Sequence, residues 1–175
     1  MITAVVVVVV AVLAAAEPVP AALQGIDQIP TRAMVASLET RALTALALDD
    51  KATVVHRTRA LRLLGAAVDV DDDARWALVL LRSSPIPVLR VQAALAQGAL
   101  AAREEQLVPF AAGLLHDDDA ELRRAALTLL WIDKSPGARD VVFAFARSEK
   151  DPALLQLANY RLKNWPTTTT KPPKR

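Results

Sequence analysis

Leu107-Val108-Pro109-Phe110-Ala111-Ala112-Gly113-Leu114-Leu115-His116-Asp117-Asp118-Asp119-Ala120-Glu121-Leu122-Arg123-Arg124-Ala125-Ala126-Leu127 decides the fold. It opens on an apolar run, passes through a polar link of one histidine and three aspartates, and resumes as a mixed segment. In that second segment Leu122, Ala126 and Leu129 stand at offsets of four and seven, which puts them on one stripe of an α-helix. A short link between two helical segments gives an antiparallel pair. An aspartate at the end of the link, Asp118 or Asp119, stands where an N-cap oxygen satisfies the orphan N–H groups of the second helix.

The same register recurs outward from this stretch at a spacing of 33 residues. It reads Val55-His56-Arg57-Thr58-Arg59-Ala60, Val88-Leu89-Arg90-Val91-Gln92-Ala93, Glu121-Leu122-Arg123-Arg124-Ala125-Ala126 and, decayed, Leu154-Leu155-Gln156-Leu157-Ala158-Asn159. The column before the arginine holds His56, Leu89, Leu122 and Leu155; three after it come Ala60, Ala93, Ala126 and Asn159. Small residues in mid-stripe let helix backbones approach closely. An apolar segment precedes each unit: Ala42–Leu48, Trp76–Leu81, Leu107–Leu115 and Val141–Ala146. Asp71 and Asp151 take the capping position in two other units. A fixed period of this length marks stacked units that bury their apolar faces against neighbours.

The opening stretch resembles a HEAT repeat, through the proline within its first helix, the Asp-rich link and the Leu-Arg-x-x-Ala core of its second. Its shortness is similar to the HEAT-like repeats of phycobilisome lyases. The resemblance spans residues 42–165 and implies an all-α fold: a short right-handed α-solenoid of about four antiparallel helix pairs. It also implies that the second helices line the concave surface, and that the in-register arginines bind link carboxylates such as Asp118 or Asp151. Ankyrin repeats share a similar period, but their Thr-Pro-Leu-His and turn glycines are absent here.

Residues 2–16 are uncharged and, as a helix, would span about 22 Å against a hydrocarbon core of about 30 Å. With Ala14-Ala15-Ala16 ahead of Glu17 they read as a signal peptide over 1–16, although no Lys or Arg precedes the apolar run. The expected organisation is then a linker over 17–30, the repeat domain over 31–165 with Thr31 capping a helix that runs toward Leu48, and a disordered basic tail over 166–175. Export to periplasm or medium follows, or a membrane anchor if the segment is uncleaved. The net charge is +2 from 21 basic and 19 acidic residues. Three of the basic residues, Lys171, Lys174 and Arg175, lie in the tail, so the remainder is near neutral and a nucleic-acid partner is not expected.

Catalysis requires groups that move protons, attack or hold a metal. The chain has no cysteine and two histidines, His56 and His116, in different units. His56 falls in the leucine column and His116 at the end of a helix, so neither reads as a ligand. The run Asp69-Val70-Asp71-Asp72-Asp73 fails the EF-hand pattern, with Ala74 at the glycine position and Leu80 at the bidentate glutamate. The glycines are scattered singly and form no phosphate-cradling loop. Trp76, Trp131, Phe110, Phe143, Phe145 and Tyr160 are read as core or packing residues. No catalytic residue, metal or cofactor is expected.

Charge is sorted by sign along the repeat. The second helices carry Arg57, Arg59, Arg62, Arg90, Arg123, Arg124, Arg161 and Lys163 with Glu121 as their one acid, and the links carry most of the rest. Arg57, Arg90 and Arg123 recur in phase and are read as a structural ladder. Arg59, Arg62, Arg124 and Arg161 are out of phase and are the candidate partner-binding residues. The expected function is a non-catalytic scaffold that docks an acidic or extended segment of another protein. The alternatives are an enzyme or enzyme accessory of HEAT-like type, such as a lyase subunit or a DNA-repair-like protein, and a membrane-anchored component of an envelope complex.

Overall fold

A computed structural model of the chain describes residues 19–23 and 39–166. Within them eight α-helices follow one another and no strand occurs. They are α1 (Thr40–Leu48), α2 (Val54–Ala66), α3 (Asp72–Leu81), α4 (Pro87–Arg103), α5 (Leu107–Leu114), α6 (Ala120–Asp133), α7 (Pro136–Ser148) and α8 (Pro152–Lys163). Residues 2–16, Thr31 and the tail from 167 onward lie outside the described residues. Inside the stretch expected as a linker, Ala21–Leu23 forms a 3-10 turn that packs on α1 and α2, and Leu23 is fully buried.

Side-chain caps start most of these helices. The N–H of His56 donates to Thr53 Oγ1 at 3.2 Å, that of Ala74 to Asp71 Oδ1 at 2.8 Å, and that of Ala138 to Ser135 Oγ at 3.1 Å. Asp119 Oδ1 accepts from Glu121 N–H at 2.8 Å, and Asp151 Oδ1 from Ala153 and Leu154 at 2.8 and 3.1 Å. Each cap replaces water at an N–H that the helix itself cannot satisfy, worth about 1 kcal/mol. Proline opens α4, α7 and α8, where its missing N–H costs nothing.

Helices pack in sequential pairs: α1 on α2, α3 on α4, α5 on α6 and α7 on α8. The even-numbered helices also pack in succession, α2 on α4, α4 on α6 and α6 on α8. Among the odd-numbered ones α1 meets α3 and α5 meets α7, while α3 and α5 barely touch. The core accordingly divides into two clusters that meet on α4. Leu89, Ala93, Ala96 and Leu100 face the first with Leu61, Leu64 and Leu78; Ala94 faces the second with Leu127, Leu130 and Leu154. Full burial of each such leucine contributes about 1.5–3 kcal/mol.

Helices α2, α4 and α6 start at Val54, Pro87 and Ala120, 33 residues apart, and Ala60, Ala93 and Ala126 are all fully buried. Helix α8 starts one residue early, at Pro152. Its buried residues are therefore Leu154 and Ala158, with Leu155 half-buried and Asn159 exposed, in place of the expected column of Leu155 and Asn159. One residue is a rotation of about 100° on a helix, enough to exchange the face that packs.

The closest approach between even-numbered helices uses glycine. A Cβ placed on Gly65 would lie 2.8 Å from Ala96 Cα, and one on Gly98 would lie 2.5 Å from both Leu129 δ-carbons. Gly65 and Gly98 are 33 residues apart, as are Ala96 and Leu129, but the first pair is a backbone approach and the second places glycine under the end of a leucine side chain. Arg103 completes the contact of α2 and α4: its guanidinium donates to the carbonyls of Gly65 and Ala67 at the C-terminus of α2, where those carbonyls have no helical partner and the dipole favours a cation.

Three of the aromatic residues expected inside lie outside. Trp76, Phe143 and Tyr160 are 62%, 52% and 64% exposed. Helix α3 buries Ala74, Ala77, Leu78 and Leu81, a stripe from which Trp76 is displaced by about 200°. Phe145 is buried, and Trp131 stacks edge-on against Trp165 with centroids 5.5 Å apart.

Candidate functional site

The in-phase arginines each reach out of their own helix, to different acceptors. Arg57, buried at the start of α2, donates from Nε to the Ala47 carbonyl on α1 at 3.0 Å. Arg90 on α4 donates to Asp119 Oδ2 at 2.7 Å and to the Ser84 carbonyl at 2.9 Å. Arg123 on α6 donates to both Glu149 oxygens, at 2.9 and 3.4 Å, and to the carbonyls of Asp117 and Asp118 at 3.0 Å each. The carboxylates are thus Asp119 and Glu149. Asp118 contributes only its carbonyl, and Asp151 caps α8.

The residues within reach of each arginine differ, and so do the acceptors. Counting 29 residues on from each arginine, the separation of Arg90 and Asp119, the column reads Ile86, Asp119 and Pro152. Only the middle unit has a carboxylate there. Arg123 turns to Glu149, 26 residues away, and Arg57 to a carbonyl.

Both acceptor carboxyls are tuned. Burial alone would raise the pKa of Asp119, but the Glu121 amide, the Arg90 guanidinium and the Leu122 amide outweigh it and hold the group below its ordinary value. Burial likewise opposes ionisation of Glu149. The amides of Asp151 and Lys150 and the Arg123 guanidinium overcome that and lower its pKa. A carboxylate that accepts several N–H bonds stays ionised, so these pairs persist as charge-assisted bonds.

The four out-of-phase arginines are placed as follows. Arg59 is half-buried on α2 and is not free of partners. Arg62 is exposed on the same helix. Arg124 is exposed on α6 with Glu121 Oε2 3.5 Å from its Nε, one turn away on the same helix. Arg161 on α8 is half-buried and donates from Nη2 to Thr128 Oγ1 on α6 at 3.3 Å, while its Nη1 is buried without a partner. Burial lowers the pKa of Arg161 and the nearby Arg124 charge lowers it further. A guanidinium nevertheless remains charged in proteins. The structure therefore brings Arg124, Thr128 and Arg161 together across the contact of α6 and α8, with more positive charge than the one carboxylate beside them balances. Such a cluster can hold a carboxylate or phosphate; it has no group suited to move a proton.

His56 is half-buried on α2 and His116 is exposed after α5, in separate helix pairs. Among the described residues no group of three or more histidine, aspartate or glutamate side chains could hold a metal ion, and no helix is long and apolar enough to cross a membrane. Two partners were not read from the sequence. Arg103, which ties α4 to the end of α2, sits in no repeated column. Glu104, which takes Arg75 Nη2 at 2.7 Å, bridges α3 to the end of α4 beside the place where α3 and α5 fail to pack.

No protein-family model, no curated protein and no solved structure matches the chain.

Proposed function

We propose that the eight helices form a short right-handed HEAT-like α-solenoid that works as an exported, non-catalytic scaffold, docking an acidic or extended segment of another protein on its even-numbered helices. Succession of contacts α2–α4–α6–α8, the 33-residue spacing of three helix starts and the equal spacing of Gly65 and Gly98 support the architecture. Arg90 and Arg123 join consecutive helix pairs and Arg57 ties α2 to α1 within its own pair, so the docking reading falls chiefly on Arg62, Arg124 and Arg161.

The observation that carries the docking reading is the Arg124–Thr128–Arg161 cluster. A half-buried guanidinium with one buried nitrogen unpartnered, next to a second arginine, is costly unless an anion completes it. A carboxylate of an incoming segment supplies that anion, and exposed Arg62 on α2 extends the positive face along the same row of helices. Export rests on the apolar 2–16 segment followed by small residues.

An oligo-glutamate peptide titrated against the purified chain tests the docking reading. Binding should weaken with added salt and fall about tenfold or more in the Arg62→Glu/Arg124→Glu variant, with helicity and melting unchanged. Binding that survives the charge reversal would refute it. N-terminal sequencing of protein recovered from cells tests export: a chain starting at Glu17 supports it, and a chain retaining Met1 in the cytoplasm refutes it and returns the enzyme-accessory alternative.

A further inference from the structure

A cavity of about 360 Å³ opens where α6 ends, α7 begins and α8 ends, lined by Lys134, Pro136, Arg139, Leu162, Lys163, Trp165 and Pro166. Three of its seven lining residues are cationic and none is acidic. Among the described residues no carboxylate pairs with Lys134, Arg139 or Lys163, whereas Arg75, Arg90, Arg123 and Arg124 all have acidic partners. The cavity is distinct from the docking face, shares no residue with it and stands or falls independently of it.

Helix dipoles account for two of the cations but not for the third. Lys134 and Lys163 sit at the C-terminal ends of α6 and α8, where positive charge is favoured. Arg139 sits in the first turn of α7, at the end where the dipole disfavours a cation, and that turn has no acid. Its Ser135 cap takes only the Ala138 N–H, and Pro136 has none to offer. Lys134 is held at φ 60, in the left-handed region usually given to glycine or asparagine at a helix end. Trp165, only 9% exposed, has a buried indole N–H with no acceptor, an omission that costs about 1–3 kcal/mol. Of these features, the unpaired charge of Arg139 and the unsatisfied Trp165 N–H, both on residues that line the cavity, are what an anion held there would answer.

We infer that this cavity binds a phosphate group, free or carried on a small organic molecule. Three cations lining one cavity, one at the N-terminus of α7 and two at the C-terminal ends of α6 and α8, match a dianion better than the single charge of a carboxylate. The volume exceeds what one oxyanion fills and lies in the range of small-ligand sites, with Leu162, the Trp165 ring and two prolines to cover an apolar remainder.

The test uses the full chain, phenyl phosphate, inorganic phosphate and benzoate, read by calorimetry and by the indole N–H resonance of Trp165. Phenyl phosphate or inorganic phosphate should bind saturably and move that resonance, with benzoate weaker. The Arg139→Gln/Lys163→Gln variant, whose altered side chains are exposed, should keep the wild-type melting temperature and weaken binding about tenfold per charge removed. Tighter binding of phenyl phosphate assigns the site to an ester, and tighter binding of inorganic phosphate to the free ion. A resonance that does not move with either phosphate, benzoate binding as tightly as both, or a variant that binds as well as the parent, overturns the inference.

Discussion

Replacing Gly65 by alanine sets two known effects against each other at one position. In a helix interior Gly→Ala gains about 1 kcal/mol from backbone entropy. At Gly65 the new methyl would lie 2.8 Å from Ala96 Cα and 3.0 Å from Ala96 Cβ, and backbone cannot rotate out of the way as a side-chain end can. Helices α2 and α4 must separate along the most extensive helix contact among the described residues. Overpacking of this kind costs about 1–3 kcal/mol, and a backbone obstacle puts it toward the upper end, so Gly65→Ala should be destabilising by about 1–2 kcal/mol net. Gly113 in α5 is the control, because a Cβ there meets nothing within 4 Å; Gly113→Ala should stabilise by about 0.5–1 kcal/mol. Urea denaturation followed by circular dichroism reads both, as shifts of the midpoint in opposite directions at constant slope. A Gly65→Ala protein as stable as the parent would refute the close-contact joint.

Stability should also depend on pH through the ladder. Asp119 and Glu149 have folded-state pKa values below the ordinary 3.8 and 4.5, so their contribution is complete above those values and is lost as pH falls through the lowered ones. Glu149→Gln should lower stability by about 1–3 kcal/mol at pH 7 and flatten the loss that sets in as pH falls below 4.5; equal pH slopes in parent and variant would contradict this. Trp76 should emit as a solvent-exposed tryptophan and be quenched by iodide, and Trp76→Phe should remove that component without moving the melting temperature. A blue-shifted, unquenched Trp76 would mean that α3 is covered.

What the sequence reveals about this fold differs between donors and acceptors. Arg57, Arg90 and Arg123 stand in one column because each occupies the same place on its own helix, and local periodicity shows that. Their acceptors belong to neighbouring elements, and Ile86, Asp119 and Pro152 show that the acceptor column is not kept. Hence the reading that named Asp118 and Asp151 meets Asp119 and Glu149 instead. The spacing of Gly65 and Gly98 is visible in the chain, yet each looks like an isolated glycine until Ala96 and Leu129 are set against them. Trp76, Phe143 and Tyr160 mislead for another reason: hydrophobicity says that burial is favourable, and only the phase of the helix says whether it happens. Of the candidate docking residues, Arg161 gains its meaning from α6. Thr128 and Arg161 are 33 residues apart in the sequence, but α8 begins one residue early, so they stand at the ninth residue of α6 and the tenth of α8 and their contact is not one the spacing alone foretells.

The spacing of the two glycines also bears on how such a chain can change length. Removing residues 66–98 would splice nearly all of α2, up to Gly65, onto the last five residues of α4 and bring Gly65 opposite Leu129, in the place of Gly98. The junction comes back in register because the piece removed is one whole period. Duplication of the same piece would extend the row by one helix pair. If the 33-residue spacing marks a repeated unit, such a chain would change length in steps of one helix pair, with the contacts at the new junction re-formed between residues that do not meet now.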